Sequence, residues 1–155
     1  MILTESARLR LRTMRCGDLE ELYALLSDAE VMRWLEPPFT REQAEQFLQQ
    51  AGLSDPPLIY AAENMEGEFL GYAIFHNYDE YSRELGWVLK PAFWHKGYAD
   101  EMTALLTALA RREGKDAVIE CVPEQTASAQ IARRHCFSYE GRAGGCDVYR
   151  LRCKE

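Results

Sequence analysis

Apolar and polar residues alternate over positions 8–14, the pattern of a strand with one buried face. Apolar residues then recur at helical spacing after Gly17, with Asp18 as the expected N-cap of that helix. Further along, Thr40 and Gln43 form a capping-box pattern, which predicts a second helix that runs to about Ala51. The first third of the chain therefore predicts one strand followed by two helices.

Three strands are expected next. Two β-prone runs, 58–64 and 69–76, flank the short segment 65–68, a spacing typical of a hairpin. A further strand is predicted over 82–89 and ends before Pro91.

The last third predicts a helix, a strand, a second helix and two closing strands. The clearest helix of the chain begins near Tyr98 and stops at Gly114. The strand that follows it returns as in a strand-helix-strand unit, which favours parallel pairing with 82–89. The predicted elements are strand 117–122, helix 126–135, and strands 137–142 and 146–153. We therefore expect one α/β (α+β) domain over 1–155, with a central, mostly antiparallel mixed sheet flanked by helices.

Composition narrows the class of protein. A chain of 155 residues with 47% hydrophobic and 28% charged residues is expected to fold as one globular domain. Its net charge of -7 argues against a nucleic-acid partner and favours a cationic, amine-bearing acceptor. The five cysteines form no C-x-x-C pair, and the three histidines are scattered, so no metal site is predicted. With no signal-peptide pattern and no membrane-length apolar run, we expect a cytoplasmic protein with no membrane partner.

One segment suggests an anion site. The strand 82–89 leads through a short turn into a helix that begins at Gly97-Tyr98-Ala99, which leaves free backbone amides at the helix start. A phosphate could bind there, with charge added by Lys96. The alternative is that Gly97 only permits a tight turn, and that Asp100 and Glu101 occupy the same amides.

Four segments carry a family resemblance. The sequence Trp94-His-Lys-Gly-Tyr-Ala99 resembles the cofactor loop Q/R-x-x-G-x-G/A of the GNAT superfamily of N-acetyltransferases, and it is similar to the Rim-type branch that acetylates ribosomal-protein N-termini. Strand 84–89 and the N-terminal segments 8–12 and 28–32 resemble the same branch. The segment 125–137 follows its N-x-x-S-x-x-V-x-x-K-x-G-F pattern, with Gln125 in place of Asn and Cys136 in place of Gly.

The resemblance implies a GNAT-like fold, acetyl-CoA as co-substrate and a set of cofactor contacts. In such enzymes the loop amides hold the pyrophosphate, and the strand before the loop pairs with the pantetheine as an added strand would. A bulge usually splays that strand from its neighbour. Carried over residue by residue, the implied cofactor-binding residues are Trp87, Val88, Leu89, His95, Lys96, Gly97, Tyr98, Ala99, Asp100, Gln125, Ser128 and Arg134.

Two residues are candidates for the chemistry. Acyl transfer needs a neutral amine, and deprotonation at pH 7 costs roughly 1.4 kcal/mol for an α-amine and about 4.6 kcal/mol for lysine. Strand alternation places Glu84 beside the expected slot, as a general base or as a solvated carboxylate. By resemblance, Ser128 could donate to the leaving sulfur, since Ala132 stands where many relatives have tyrosine; alternatively its hydroxyl bonds the helix backbone. Tyr98 and Tyr139 are weaker substitutes.

We therefore expect an enzyme that transfers acetyl to a primary amine by direct attack in a ternary complex. The rivals are a non-catalytic acyl-CoA-binding domain and a nucleotide-phosphate binder, although no Walker pattern occurs. An acyl-cysteine route through Cys121 or Cys136 lacks a neighbouring histidine motif. The acceptor, a protein N-terminus or a small molecule, is not determined by the sequence, and neither is the oligomeric state, for which a homodimer is the general prior.

Overall fold

The structure, a computed structural model, describes residues 1–153. Its strands are β1 (Ile2–Glu5), β2 (Leu9–Arg12), β3 (Ile59–Asn64), β4 (Phe69–Asp79), β5 (Ser82–Leu89), β6 (Asp116–Cys121), β7 (Ser138–Ala143) and β8 (Cys146–Leu151). Its α-helices are α1 (Leu19–Leu26), α2 (Ala29–Met32), α3 (Arg41–Phe47), α4 (Tyr98–Arg112) and α5 (Thr126–Arg134). A π-helical turn, Leu48–Gly52, continues α3.

The eight strands form one sheet in the order β1-β2-β3-β4-β5-β6-β8-β7. Neighbours pair antiparallel except β5 and β6, which are parallel. Helix α4 connects those two strands, so the strand-helix-strand unit and its parallel pairing are confirmed. The expected mostly antiparallel mixed sheet flanked by helices is likewise confirmed.

The N-terminal region differs from the expectation in two places. A separate strand, β1, precedes β2 and pairs with it through Thr4 and Glu5. The short helix α2 was also missed; Asp28 caps it by accepting from the amides of Glu30 and Val31 at 2.8 and 3.4 Å. Four-residue elements are too short to show a hydrophobic period, which explains both omissions.

Asp18 occupies the N-cap position of α1, as predicted, but its side chain makes no cap bond to that helix. Its carboxylate instead accepts two bonds of 2.9 Å from the Arg12 guanidinium and one of 2.8 Å from the Arg15 amide. Arg12 also donates to Glu63 on β3. All three side chains are buried, so an ionic cluster ties β2 and β3 to the start of α1.

The sheet has a separate hydrophobic core on each face. One core contains Leu85, Met102, Leu106 and Phe137, under helices α4 and α5. The other lies under α1 and α3 and contains residues of β3, β4 and β5 together with helical leucines: Leu22, Leu25, Ile59, Tyr72 and Val88. Strand β5 contributes to both cores, because its successive side chains point to opposite faces.

No helix within residues 1–153 combines the length and the hydropathy that crossing a bilayer requires.

The Arg12 cluster gives a stability prediction. Replacement by methionine (Arg12→Met) leaves buried Asp18 without its cation and Glu63 with Arg10 alone, which we expect to lower the free energy of unfolding at pH 7 by about 3–5 kcal/mol. Burial raises the pKa of Asp18 and of Glu63, but hydrogen bonds from Arg12 outweigh it and hold both pKa values below their ordinary values. Without Arg12 the burial effect remains, both pKa values rise, and protonation relieves the penalty.

The destabilisation should therefore shrink when urea unfolding is repeated at pH 3. Arg10→Met is the matched control, because Arg10 also pairs with Glu63 but lies closer to the surface. Equal losses in the two variants, or a loss that does not change with pH, would contradict this account of the cluster.

Candidate active site

The parallel ladder between β5 and β6 ends before either strand does. It pairs Ser82 with Asp116, Arg83 with Ala117 and Glu84 with Val118. Beyond Glu84, β5 continues to Leu89 paired only with β4, and β6 continues to Cys121 paired only with β8. The sheet therefore opens into a cleft, and one edge of β5 is left without a partner strand.

The backbone of β5 alternates between its two neighbours. The carbonyl of Tyr81 accepts from the Asp116 amide, so this residue faces β6. Because backbone groups alternate along a strand, Trp87 and Leu89 present their main-chain groups to the same side, which is now the open cleft. Trp87 and Leu89 therefore have the backbone orientation that pairing with an extended ligand requires.

Val88 has the opposite orientation and pairs with Tyr72 on β4. Its carbonyl lies against Gly71, where a Cβ atom would fall 2.0 Å from that oxygen. The φ angle of Gly71 is +152°, so glycine is needed there both for space and for conformation. Val88 can therefore line the cleft through its side chain, whereas its backbone belongs to the sheet.

The loop between β5 and α4 exposes a row of backbone amides. His95 and Gly97 have φ angles of +60° and +84°, which place both in the left-handed region. Gly97 is the N-cap of α4. Within residues 1–153, the amides of His95 to Asp100 have no hydrogen-bond acceptor. Free amides at a helix start, with the positive end of the helix dipole, form an anion site.

Arg8 on the neighbouring N-terminal segment fixes this loop. Its Nη2 donates to the Lys96 carbonyl at 2.6 Å, and its guanidinium lies 4.1 Å from the centre of the Tyr98 ring. In a trans peptide the carbonyl and the following N–H point in opposite directions, so a carbonyl held by Arg8 turns the Gly97 amide away from Arg8. Arg8 therefore orients a member of the amide row.

The two acidic residues of the first turn do not occupy these amides, contrary to the alternative considered from the sequence. Asp100 pairs with Arg134 at 2.9 and 3.1 Å and with His135 at 2.9 Å. These bonds, that to Arg134 above all, hold the pKa of Asp100 below its ordinary value. Glu101 pairs with Arg8 and accepts from Ser6. Cations on other elements thus turn both carboxylates away from the helix start.

The cleft has a volume of about 550 Å³. Almost every residue expected to bind cofactor lines it: Trp87, Val88, Leu89, His95, Gly97, Tyr98, Ala99, Asp100, Gln125, Ser128 and Arg134. Lys96 is the exception, since its side chain is exposed and does not line the cleft.

Helix α5 supplies the opposite wall. Ser128 lines the cleft, and its hydroxyl has no hydrogen-bond partner within residues 1–153, so the backbone-bonded alternative is not observed. Gln125 closes the turn before α5 by accepting from the Val122 amide at 3.2 Å. Ala132 is fully buried. Ser128 and Thr126 are therefore the hydroxyl residues of this helix that line the cleft.

Glu84 lies at the point where the ladder ends. Burial raises its pKa, the neighbouring His76 works against that effect, and the charge of Glu120 adds to it. The His76 Nε2 is 4.0 Å from a Glu84 oxygen. A carboxylate with a raised pKa, on the face of β5 that also carries Val88, has the properties of a general base.

The two cysteines considered as nucleophiles, Cys121 and Cys136, both lie outside the cleft. Cys121 is buried in the core, and burial raises the pKa of its thiol to about 11. Cys136 follows α5 with a φ of +69°, which accounts for glycine being usual at this position of the motif. Neither thiol lines the cleft.

A second, smaller cavity of about 360 Å³ lies on the other face of β5. Glu84 and His76 line this cavity and not the first one. Val88 and Leu35 line both cavities, so the two meet at β5. Across residues 1–153, no cluster of three or more His, Cys, Asp or Glu side chains is arranged to hold a metal ion.

A family model described as "Acetyltransferase (GNAT) domain" matches residues 8–138. The chain therefore belongs to the GNAT acetyltransferase family, and the resemblance inferred from its motifs is confirmed. The uncharacterized N-acetyltransferase YnaD of Bacillus subtilis (strain 168) is 27% identical over 138 residues, which covers 86% of this chain and 81% of that protein.

Solved structures show the same fold. A GNAT-family acetyltransferase from Bacillus anthracis has a TM-score of 0.87 at 23% identity, with both chains fully covered. RimL, a ribosomal L7/L12 alpha-N-protein acetyltransferase solved in complex with coenzyme A, has a TM-score of 0.83 at 21% identity and 97% coverage of each chain. Rim-type enzymes are thus among the structural neighbours, as the sequence suggested.

Sequence reasoning missed several residues around the site. Arg8 was placed in a predicted strand and in a segment that resembles the family, but its contact with the loop was not predicted. Tyr72 and His76 line the second cavity from β4, and no local motif marks them.

Arg8 provides a direct test of the loop geometry. Because it holds the Lys96 carbonyl, Arg8→Met should raise the Kd for acetyl-CoA by about tenfold, the effect of losing roughly one charge-assisted hydrogen bond. Isothermal titration calorimetry measures this value. Arg41→Met, which breaks an exposed ion pair with Glu20, is the matched control and should leave the Kd unchanged. An unchanged Kd in Arg8→Met would show that the loop holds its conformation without this contact.

Proposed function

We propose that the protein transfers the acetyl group of acetyl-CoA directly to a primary amine, in a ternary complex. The observation that carries the proposal is the opening of the sheet between β5 and β6, with free amides from His95 to Asp100 at one end. A pyrophosphate fits the amide row, and an extended pantetheine fits the free edge at Trp87 and Leu89. Membership of the GNAT family supports the same donor.

The chain's own residues supply the remaining chemistry. When bound, acetyl-CoA provides a thioester as the activated acyl group. Glu84 takes a proton from the incoming ammonium, directly or through water, so that the amine nitrogen can attack the thioester carbon. The C–N bond forms as the C–S bond breaks, and the second proton lost by the nitrogen passes to the departing thiolate, directly or through water. The hydroxyl of Ser128 donates a hydrogen bond to that sulfur. The proposal needs no acyl-enzyme, and Cys121 is buried as a neutral thiol.

The proposed site residues keep the roles implied by the resemblance, with two refinements. Lys96 contributes its backbone amide and an exposed charge, since its side chain does not line the cleft. Arg134 and Asp100 act as a pair at the phosphate end, where Arg134 can turn towards a phosphate. The proposed acceptor is an amine on a protein N-terminus or on a small molecule, and the proposed compartment is the cytoplasm, where acetyl-CoA is available.

The rival function is binding of acyl-CoA without turnover. It has one observation in its favour, because Ala132 occupies the position of the tyrosine found in many relatives and is fully buried. Ser128 offers a replacement donor, which is why we favour the enzyme.

Activity is measured as release of free CoA thiol from acetyl-CoA with a panel of primary amines, and acetylation as a mass increase of one acetyl group on the amine. Equal amounts of both products support direct transfer. Tight acetyl-CoA binding with no amine-dependent CoA release would favour the non-catalytic rival, and competition by ATP but not by CoA would favour a nucleotide site.

Glu84→Gln separates catalysis from folding. The substitution should lower kcat by about 100-fold or more, as expected for loss of a general base, and leave the Kd for acetyl-CoA unchanged. Because burial raises the pKa of Glu84, its ionisation destabilises the native state as the pH rises through that pKa. The Gln variant should therefore have a higher Tm than the wild type at pH 8 and an equal Tm at pH 4.

Glu80→Gln, at an exposed carboxylate of the β4–β5 turn, is the control for removal of a charge. Unchanged kcat in Glu84→Gln would exclude Glu84 as the base.

A further inference from the structure

The second cavity has walls that select for apolar groups. Its volume, about 360 Å³, is that of a site for a small molecule. Side chains from α1, α2, α3, β3, β4 and the segment before α3 form most of its surface, among them Leu26, Met32, Phe39, Phe47, Ile59 and Ile74. An occupant gains affinity there mainly by burying its own apolar surface.

The polar groups of this cavity are few and fit an ammonium. Two carboxylates, Glu84 and Glu36, line it together with His76. No lysine or arginine is among its lining residues. A cationic nitrogen is therefore attracted, while an anionic group has no positive side chain to meet apart from His76.

Tyr72 adds an unpaired hydroxyl. The residue is only 5% exposed, it lines the cavity, and its hydroxyl has no hydrogen-bond partner within residues 1–153. Burial, together with the charge of Glu36, raises the pKa of Tyr72, so the hydroxyl keeps its proton. The oxygen is not among the fully buried side-chain atoms that lack a partner, so it opens onto the cavity and no described residue bonds it there. A bound amine would provide one, because an N–H can donate to this oxygen.

The cavity also lies where an acceptor must lie. Val88 and Leu35 separate it from the cofactor cleft and line both spaces. Glu84, the proposed base, lines the cavity on the same face of β5 as Val88. An amine held near Glu84 is therefore close to the point at which the two cavities meet.

We propose that the acceptor is a primary monoamine joined to a compact apolar body, with no carboxylate close to the amine and no second cationic group within the part that enters the cavity. This inference rests on the proposed function, and it names the substrate class of that site. Free amino acids are disfavoured because their carboxylate would face Glu84 and Glu36. Polyamines and aminoglycosides are disfavoured because the apolar walls would desolvate their additional charges and hydroxyls. An alkylamine and the first residue of a peptide with an apolar N-terminal side chain share the required chemistry.

Amine binding can be measured without turnover by isothermal titration of the full chain saturated with CoA. In a series from n-propylamine to n-hexylamine, each added methylene should tighten Kd by about fourfold until the cavity is filled, because burying one methylene contributes about 0.8 kcal/mol. Norleucine is n-pentylamine with an added carboxylate, and cadaverine is n-pentylamine with an added ammonium. Both should bind at least about tenfold more weakly than n-pentylamine.

Two variants locate the binding. Tyr72→Phe should weaken n-pentylamine by about three- to tenfold, the effect of one lost hydrogen bond. Leu58→Asp adds a carboxylate at a partly exposed position of the cavity and should shift the preference from n-pentylamine towards cadaverine. Met65→Asp is the matched control, since Met65 is a similarly exposed apolar residue that lines neither cavity.

Two further ligands, leucine amide and a tetrapeptide with N-terminal leucine, distinguish a free amine from a protein N-terminus as the acceptor. Tighter binding of the tetrapeptide assigns the cavity to protein N-termini, and equal or weaker binding assigns it to a free amine. The proposal would be overturned if no amine binds, or if the Kd does not change with the length of the alkyl chain. It would also be overturned if norleucine or cadaverine binds as tightly as n-pentylamine, or if the variants leave every Kd unchanged.

The titrations are repeated without CoA, so that a failure of CoA binding counts against the proposed acetyl transfer and not against the acceptor class.

Discussion

The short parallel ladder between β5 and β6 is the constraint on which the site depends. It holds the two halves of the sheet together at Ser82 to Glu84 and then ends, while each strand keeps its other neighbour. The divergence leaves the backbone of Trp87 and the amide of Leu89 without a partner strand beside the cleft, while the Leu89 carbonyl accepts from the Trp94 indole at 2.9 Å. A free strand edge normally invites pairing with another chain, and here it faces a space bounded by α5 and the loop before α4. The ladder ends at Glu84, which lines the second cavity on the same face of β5 as Val88, where the two cavities meet. The cofactor edge and the candidate base therefore arise from one feature of the sheet.

Charge pairing around the loop keeps its anion site free. A helix start rich in acidic residues would ordinarily satisfy its own amides, and α4 has both Asp100 and Glu101 in its first turn. Arg134 and His135 from the end of α5 bind the first carboxylate, and Arg8 binds the second. These contacts connect the two ends of the chain to the loop. An acidic protein with a net charge of -7 thereby retains a local site with positive potential.

The sequence predicted the parts of the fold that repeat a pattern. The long helix from Tyr98, the hairpin around 65–68 and the closing strands each show a clear period or turn signal, and the parallel pairing followed from the strand-helix-strand order. The motif at 94–99 located the loop. The sequence could not show contacts between distant segments. Arg8 lies 88 residues from Lys96 along the chain, and Arg12 on β2 binds Glu63 on the neighbouring strand β3. The second cavity is likewise built from side chains of six helices and strands, and of its polar residues only Glu84 belongs to a segment that the sequence singled out.

The central claim is that the free amides of His95 to Asp100 hold the pyrophosphate while the open edge of β5 holds the pantetheine. Residue-resolved hydrogen exchange with and without saturating acetyl-CoA tests it most directly, because it reports on each amide separately. The account predicts new protection at the amides of His95 to Asp100 and at Trp87 or Leu89, with no change at Val88, whose amide already faces β4. Pyrophosphate alone should protect only the loop. Saturating acetyl-CoA that leaves both segments exchanging as in the free protein would contradict the account.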